Sequence, residues 1–368
     1  MERNPHVVRV ISTFGVGGIQ KQLTKVAPLL LERGYRITVL ALEGDGPLRE
    51  QLERDGAETT VMPLKGKYRL GEILKLAKWL ADSRCHILHV HRMGGVVFPA
   101  LLAGRIAGVK AMVVHHHFPY TWQSRRKRLL EAFATKLAAQ VIGVSEHVAK
   151  NSTNELSLSP QKVKRIYNGV ERTNLLSPEK ARERLRLPLD KKVCGLVARI
   201  VYFKRIQDAI EAMETLNSKR RDTVLALVGD GEARRVKALK EQSERLRVNN
   251  SVVWCGEVAN AAELARGFDV GMLVSTKEGL GNTVLEYWAA GIPVVATIIP
   301  PIAEMVSTGG ILVPPKSPKA IAEAVNRLLS SPKLKKRLGL QGRTRVARFS
   351  IERTAESTHK LYRELLTA

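Results

Sequence analysis

The sequence predicts an α/β protein of two doubly wound domains, each a parallel sheet with helices on both faces. Apolar, β-branched runs alternate with amphipathic helical segments along most of the chain, and continuous apolar strands are those buried on both faces of a parallel sheet. A polar stretch punctuated by proline interrupts this alternation once, near residue 172, and a second series follows it. The 368 residues, 44% of them hydrophobic, exceed one ordinary core and suit two.

The first series opens with strand VVRVIST, a Gly15-Val16-Gly17-Gly18 turn and helix IQKQLTKVAPLLLERG, which Gly34 ends. Strand RITVLAL, a helix around PLREQLERDG, strand TTVMPL and helix LGEILKLAKWLADS follow. In the last of these, Leu70, Ile73, Leu74, Ala77 and Leu80 fall on one apolar stripe. HILHVH, AMVVHHH and QVIGVS read as strands and EHVAKNSTNE as a helix. The break, ERTNLLSPEKARERLRLPLD, carries Pro178 and Pro188 and reads as a connection holding one helix. VCGLVARI, TVLALVG, SVVWCGE, DVGMLVST, PVVAT and GILVPP are the strands of the second series, and the tail from Ser331 is helical and basic. The expected divisions are residues 1–171, 172–351 and a final helix, 352–368.

Lys and Arg number 60 against 35 Asp and Glu, a net charge of +25. Both halves are basic, so the charge is not a detachable tail. It favours anionic partners: nucleotide diphosphates, anionic lipid, phosphorylated glycans or nucleic acid. No nucleic-acid motif accompanies it. The longest apolar stretch, VVFPALLAGRIAGV, contains Arg105 and is too short to span a bilayer, and no signal-peptide pattern opens the chain. Cys85, Cys194 and Cys255 show no paired spacing and read as buried thiols in a reducing cytoplasm.

The densest signal is residues 269–297, DVGMLVSTKEGLGNTVLEYWAAGIPVVAT, a strand, glycine-rich loop, short helix and strand. Gly279 and Gly281 free the backbone, and Asn282 or Thr283 can cap a helix ending near Gly291. A helix start attracts a phosphate. Glu278 before the helix and Glu286 a turn inside it can accept hydroxyl hydrogen bonds on either side of that phosphate. A sugar on one side and a ribose on the other make this a nucleotide-sugar site.

This run resembles the donor signature of the family 4 retaining glycosyltransferases, Glu-x7-Glu within E-G-[FL]-G…E-[AY]-[MW]-A-x-G-x-P-V-[VI]-A. The resemblance implies the GT-B architecture, in which an acceptor domain and a donor domain face a cleft and the final helix crosses back to the first domain. It gives Glu278, Gly279, Leu280, Gly281 and Asn282 to the donor sugar, Glu286 to the ribose, and Thr283 with the helix start to the phosphate. GLVARIVYFKRIQDAI is similar to the family's G-R-x4-K pattern, implying that Arg199 and Lys204 bind the pyrophosphate and help it leave. Arg205 stands where the family often has Gly. Gly229 in LVGDGEARR needs only a tight turn to explain it, but its likeness to G-D-G-x-x-[RK] places it near the nucleoside. VVWCGEVAN gives Val258 the position whose backbone meets the base. FGVGGIQ is not G-x-G-x-x-G, because Gln20 takes the third glycine position. It resembles the G-G-x-[EQ] loop, which implies that Gly17 and Gly18 approach the donor phosphate.

Six of nine histidines fall in two neighbouring strands, with His89 and His91 on one face and His115 and His117 on one face. Zinc can use such a set, but no cysteine or carboxylate joins it and the chain holds no Asp-x-Asp. The expectation is no metal and no cofactor. By resemblance, VVHHHF matches V-x-T-x-H-[DG], so His117 is the catalytic-cleft histidine that touches a donor-sugar hydroxyl. His115 stands where Thr is common, and His116 is the alternative one register away. SRRKRLLEAFATKLAAQ, preceded by Phe118, Tyr120 and Trp122, and KGKYRLGEILKLAKW read either as solvated helix faces or as a cationic, aromatic surface for anionic membrane. Their place in the expected acceptor domain favours the membrane.

The resemblance implies retaining transfer from a UDP-sugar to a hydroxyl of a cell-envelope glycan or lipid-linked acceptor, in the cytoplasm and at the inner membrane face. The departing phosphate oxygen takes the acceptor's proton on the same face. Glu278→Ala or Lys204→Ala is expected to abolish transfer with the fold intact. Pro300-Pro301 replaces a family Gly-Gly pair and is expected to stiffen the donor loop. The alternatives are a sugar-nucleotide 2-epimerase and a non-catalytic basic protein binding nucleic acid or glycan.

Overall fold

The computed structural model describes residues 4–66, 69–93, 95–121, 124–171 and 174–367. Lys67, Tyr68 and Trp122, which the basic segments include, lie outside the described residues. The chain forms two compact units: residues up to Gly169 together with those from Ile351 onward, and Val170–Ser350.

The first unit is a sheet of seven strands, β1 (His6–Thr13), β2 (Arg36–Gly44), β3 (Glu58–Val61), β4 (Ile87–His91), β5 (Ala111–His116), β6 (Gln140–Gly143) and β7 (Val163–Arg165). All neighbours are parallel, in the order β3-β2-β1-β4-β5-β6-β7. The helices between them are α1 (Gly18–Leu31), α2 (Leu48–Arg54), α3 (Leu70–Asp82), α4 (Val97–Ile106), α5 (Arg125–Leu137) and α6 (Glu146–Leu156). The Ser145 hydroxyl caps α6 by accepting from Val148 N. In α3 the stripe is Ile73, Leu76, Ala77 and Leu80, while Leu70 and Leu74 are 63% and 47% exposed. The expected stripe was therefore rotated by part of a turn, because Leu76 satisfies the same spacing and faces the sheet.

The second unit holds α7 (Pro178–Arg184) and the strands β8 (Lys192–Val197), β9 (Thr223–Val228), β10 (Val252–Gly256), β11 (Val270–Leu273), β12 (Val294–Thr297) and β13 (Gly310–Val313). They too are parallel, in the order β10-β9-β8-β11-β12-β13. Around them lie α8 (Ile206–Lys219), α9 (Ala233–Arg245), α10 (Asn282–Ala289), α11 (Pro300–Met305), α12 (Pro318–Leu329) and α13 (Pro332–Arg345). Its core is aliphatic, built on Leu196, Ile210, Leu225, Val270, Met272 and Val295. The last helix, α14 (Ile351–Thr367), belongs to the first unit. There Ala355 and Tyr362 pack with Phe14, Leu23 and Leu30, and Thr354 donates to Tyr167 O at 2.8 Å.

Of the three thiols, only Cys194 is buried; Cys85 and Cys255 are half-buried. Burial pushes Cys85 and Cys194 up to about 12. No helix among the described residues is long and apolar enough to cross a membrane.

Candidate active site

Strand order reverses in the second unit between β8 and β11. Loops leaving two such neighbours turn to opposite faces of the sheet, and the crevice at their carboxyl ends is where doubly wound sheets bind ligands. The loop after β8 carries Arg199 and Lys204; the loop after β11 carries Glu278 and the glycines.

The β8 loop is tight despite Arg205. That residue has φ +52°, a left-handed conformation costing a non-glycine residue about 1–2 kcal/mol. A fork to the buried Asp208 carboxylate offsets the cost: Arg205 Nε donates to Oδ2 at 2.9 Å and Nη2 to Oδ1 at 2.6 Å. Glycine's freedom is thus replaced by an ion pair. Thr276 then staples the two loops, its N–H donating to Phe203 O at 2.8 Å and its hydroxyl to the same oxygen at 3.3 Å.

The staple brings Lys204 and Glu278 together, Nζ to Oε1 at 2.6 Å, with side chains 15% and 6% exposed. Loss of one partner from such a buried pair leaves an uncompensated charge and costs about 3–5 kcal/mol. Alanine at either position is therefore expected to destabilise the second unit as well as impair the site, a cost that the sequence alone does not reveal. Arg199 is exposed and makes no ion pair among the described residues.

Gly279, Leu280 and Gly281 are buried. The N-cap of α10 is Gly281 at φ +96°, with no side-chain cap; Asn282 and Thr283 are the first helical residues instead. A Cβ on Gly281 would meet Ile302 Cδ1 at 2.5 Å, so no side-chain cap fits there. Thr283 makes a long 3.4 Å hydrogen bond to Val197 O, and Glu286 lies half-buried in the second turn. Tyr287, which sequence reasoning passed over, locks α10 to β8. Its hydroxyl donates to Gly195 O at 2.9 Å and accepts from Val197 N at 3.0 Å. The signal was a tyrosine inside the glutamate motif facing Gly271, where a Cβ would lie 2.3 Å from the ring.

Gly229 has φ +132°, and a Cβ there would lie 2.1 Å from Ala198 O. Ile200 N donates to Asp230 O at 2.8 Å, so this turn runs edge to edge with the Arg199 segment. Val258, beyond β10, is half-buried. Pro300 and Pro301 do not stiffen a loop. They are the first two residues of α11, where missing N–H groups cost nothing to the helix.

In the first unit, Gly17 and Gly18 open α1 at the carboxyl end of β1, with Gln20 Nε2 donating to Thr13 O at 3.2 Å. His117 follows β5 but is buried, with Nε2 2.9 Å from His91 Nδ1. Burial, with Arg9 and Arg92, pushes its pKa down to about 3. Contact with a substrate requires this ring to turn out of the network. His116 points to the other face of the sheet, to Ser152 and Tyr120. Ligand atoms of His89, His91 and His115 lie within 4.8 Å of one another. Arg9 donates to His91 Nε2, placing a guanidinium where a divalent ion would bind, which opposes it.

Residues 177–345 match the family model for glycosyl transferases group 1, and residues 16–174 that for glycosyltransferase family 4. This chain belongs to the group 1 and family 4 glycosyltransferases. An uncharacterised glycosyltransferase of Methanocaldococcus jannaschii is 32% identical over 221 residues, a match spanning 57% of this chain and 56% of that relative. The N-acetyl-alpha-D-glucosaminyl L-malate synthase of Bacillus anthracis is 25% identical over 308 residues, 81% of this chain and 80% of the relative. Among solved structures, Anabaena HepE in complex with UDP superposes with a TM-score of 0.85 at 20% identity, covering 97% of this glycosyltransferase and 98% of HepE; HepE has also been solved with UDP-glucose. The two doubly wound units are those of the GT-B fold.

Proposed function

We propose that this glycosyltransferase moves a sugar from a UDP-sugar to an acceptor hydroxyl with retained configuration. The observation that carries the reading is the buried Lys204–Glu278 pair at the β8/β11 switch point. An ammonium has three donors, so Lys204 can hold Glu278 with one and a donor pyrophosphate with the others. Glu278 keeps a second oxygen for sugar hydroxyls. Arg199 adds a guanidinium fork, so charge on the departing diphosphate is met by fixed cations and no resident metal is invoked. Glu286 takes the ribose, Gly229 and the Val258 backbone the nucleoside, and the Gly279 to Thr283 segment the sugar and phosphate. The family resemblance also gives Gly17 and Gly18 a part in phosphate binding and His117 one in sugar binding, the latter after its ring rotates outward. HepE, of the same fold, supports uridine as the base.

The test is UDP release from UDP-sugars with and without candidate acceptors, with the product's anomeric configuration read by NMR. Acceptor-dependent UDP release giving an α-linked product from an α-linked donor supports the reading. Epimerised free sugar without an acceptor contradicts it.

The acceptor is proposed to be a cell-envelope glycan or lipid-linked sugar met at an anionic membrane. α3, α4 and α5 stand side by side on the first unit. They expose Leu70 and Leu74, Ile106, and Leu129 and Phe133, beside Lys75, Lys78 and the Arg125-Arg126-Lys127-Arg128 run. Apolar side chains ringed by cations fit a headgroup boundary. Cosedimentation with phosphatidylglycerol vesicles, but not with neutral ones, checks this; Leu129→Glu with Phe133→Glu is expected to abolish it.

A further inference from the structure

Arg9 sits in mid-strand in the first unit, 3% exposed. Its Nε and Nη2 donate to His91 Nε2 at 3.2 and 3.0 Å, and its Nη1 is buried with no partner. A guanidinium stays charged in a protein; the titratable groups coupled to it are Tyr362 and the histidines His89, His91, His115 and His117, with no Asp or Glu among them. A buried cation without an acidic partner is unfavourable unless a counter-charge reaches it.

The hydrogen bonds around Arg9 fix which ring nitrogens carry protons. Arg9 can only donate, so His91 Nε2 accepts and its proton lies on Nδ1. That proton goes to His117 Nε2 at 2.9 Å, which leaves His117 with Nδ1–H. A second chain runs in parallel. The Tyr362 hydroxyl lies 2.5 Å from His89 Nδ1, and because a phenol O–H is more acidic than a neutral imidazole N–H, the hydroxyl donates. His89 Nε2–H then faces His115 Nδ1 at 3.3 Å, leaving His115 with Nε2–H. Both chains start from a donor and end on a donor. His117 Nδ1 and His115 Nε2 are, with Arg9 Nη1, buried without partners.

Arg9, His115 and His117 all line one cavity, together with Leu23, Val26 and Asn168. No Asp or Glu lines it. Its volume of about 10 Å³ suits a single water-sized occupant and excludes phosphate or sulfate. The three unpartnered nitrogens are donors, one of them cationic, and the oxygens of Gln22, Asn168, Thr354 and Thr358 that also line the cavity are neutral, so only a negative occupant supplies the missing counter-charge. The same cation and the same proton positions disfavour a metal ion on these histidines.

We propose that this cavity binds one monovalent, atom-sized anion of the halide class, chloride under ordinary conditions, as the counter-ion of Arg9. The anion would hold His117 in its Nδ1–H form and turned inward.

Thermal unfolding of the full chain in sodium chloride and in sodium gluconate at equal ionic strength, together with crystals grown in bromide, tests this. Chloride at about five times its Kd is expected to raise the Tm by roughly 2–4 °C over gluconate. Arg9→Met is expected to erase that difference while keeping the surface charge that binds anions loosely. Anomalous scattering should show one bromide within hydrogen-bond reach of Arg9 Nη1, His115 Nε2 and His117 Nδ1. Equal Tm values in the two salts for the wild type, a chloride effect that survives in Arg9→Met, a bromide map without that peak, or a divalent metal on His89, His91 and His115 would each overturn the proposal. The wild-type bromide map decides the question even if Arg9→Met does not fold.

Discussion

The two units share an architecture and differ in what their central strands bury. Between β1, β4 and β5 the first unit encloses Arg9, His89, His91, His115 and His117, with rings stacked 4.3–5.3 Å apart. At the matching strands of the second unit stand Cys194, Leu196, Val270 and Met272. There the polar chemistry begins only beyond the strand ends, at Lys204 and Glu278. A parallel sheet thus tolerates a polar centre when hydrogen bonds satisfy most of it. It concentrates reactive groups most simply where its strands stop.

Removing the charge pair should break the comparison most severely. Glu278→Gln is expected to lower transfer by about 100- to 1,000-fold, and Lys204→Ala by at least as much while also destabilising the second unit by about 3–5 kcal/mol. Steady-state kinetics and urea unfolding check the two effects separately; near-normal turnover in either variant would remove Lys204 and Glu278 from the site.

Acid should separate the units next. Burial holds His89, His91, His115 and His116 well below the usual histidine range and His117 at about 3. The unfolded chain therefore binds protons below about 6.5 that the native state refuses, and stability falls as pH falls. Each ring contributes about 1.4 kcal/mol per pH unit in that window. The first unit is expected to unfold before the second as pH drops from 6.5 toward 4, observed as amide exchange lost first from β4 and β5. Simultaneous loss in both units would contradict the polar-core account.

Gly229→Ala should cost about 2 kcal/mol or more, since the new Cβ overlaps Ala198 O. It is also expected to weaken UDP binding, as titration calorimetry would record. The smallest effect is expected for Arg205→Gly, within about 1 kcal/mol of wild type, because relief of the left-handed strain offsets the lost Asp208 fork. A large loss in thermal unfolding would show that the fork does more than offset strain.

Strand and helix order was legible in the sequence because each central strand is an unbroken apolar run, and the glutamate frame marked the β11 loop. What escaped depends on partners distant in the chain. Arg9 passed unremarked within VVRVIST, because its hydrogen-bond partner His91 lies 82 residues away. Arg205 looked like a loosened loop because propensity does not see Asp208. The α3 stripe was ambiguous because Leu74 and Leu76 both fit helical spacing, and only the sheet beneath chose between them.

Amide hydrogen exchange with and without UDP tests the central claim most directly. The account expects new protection around residues 197–205, 229–231 and 276–288 of the second unit, and none in β1, β4 or β5 of the first. Protection confined to the histidine strands, or none at the β8/β11 switch point, would contradict it.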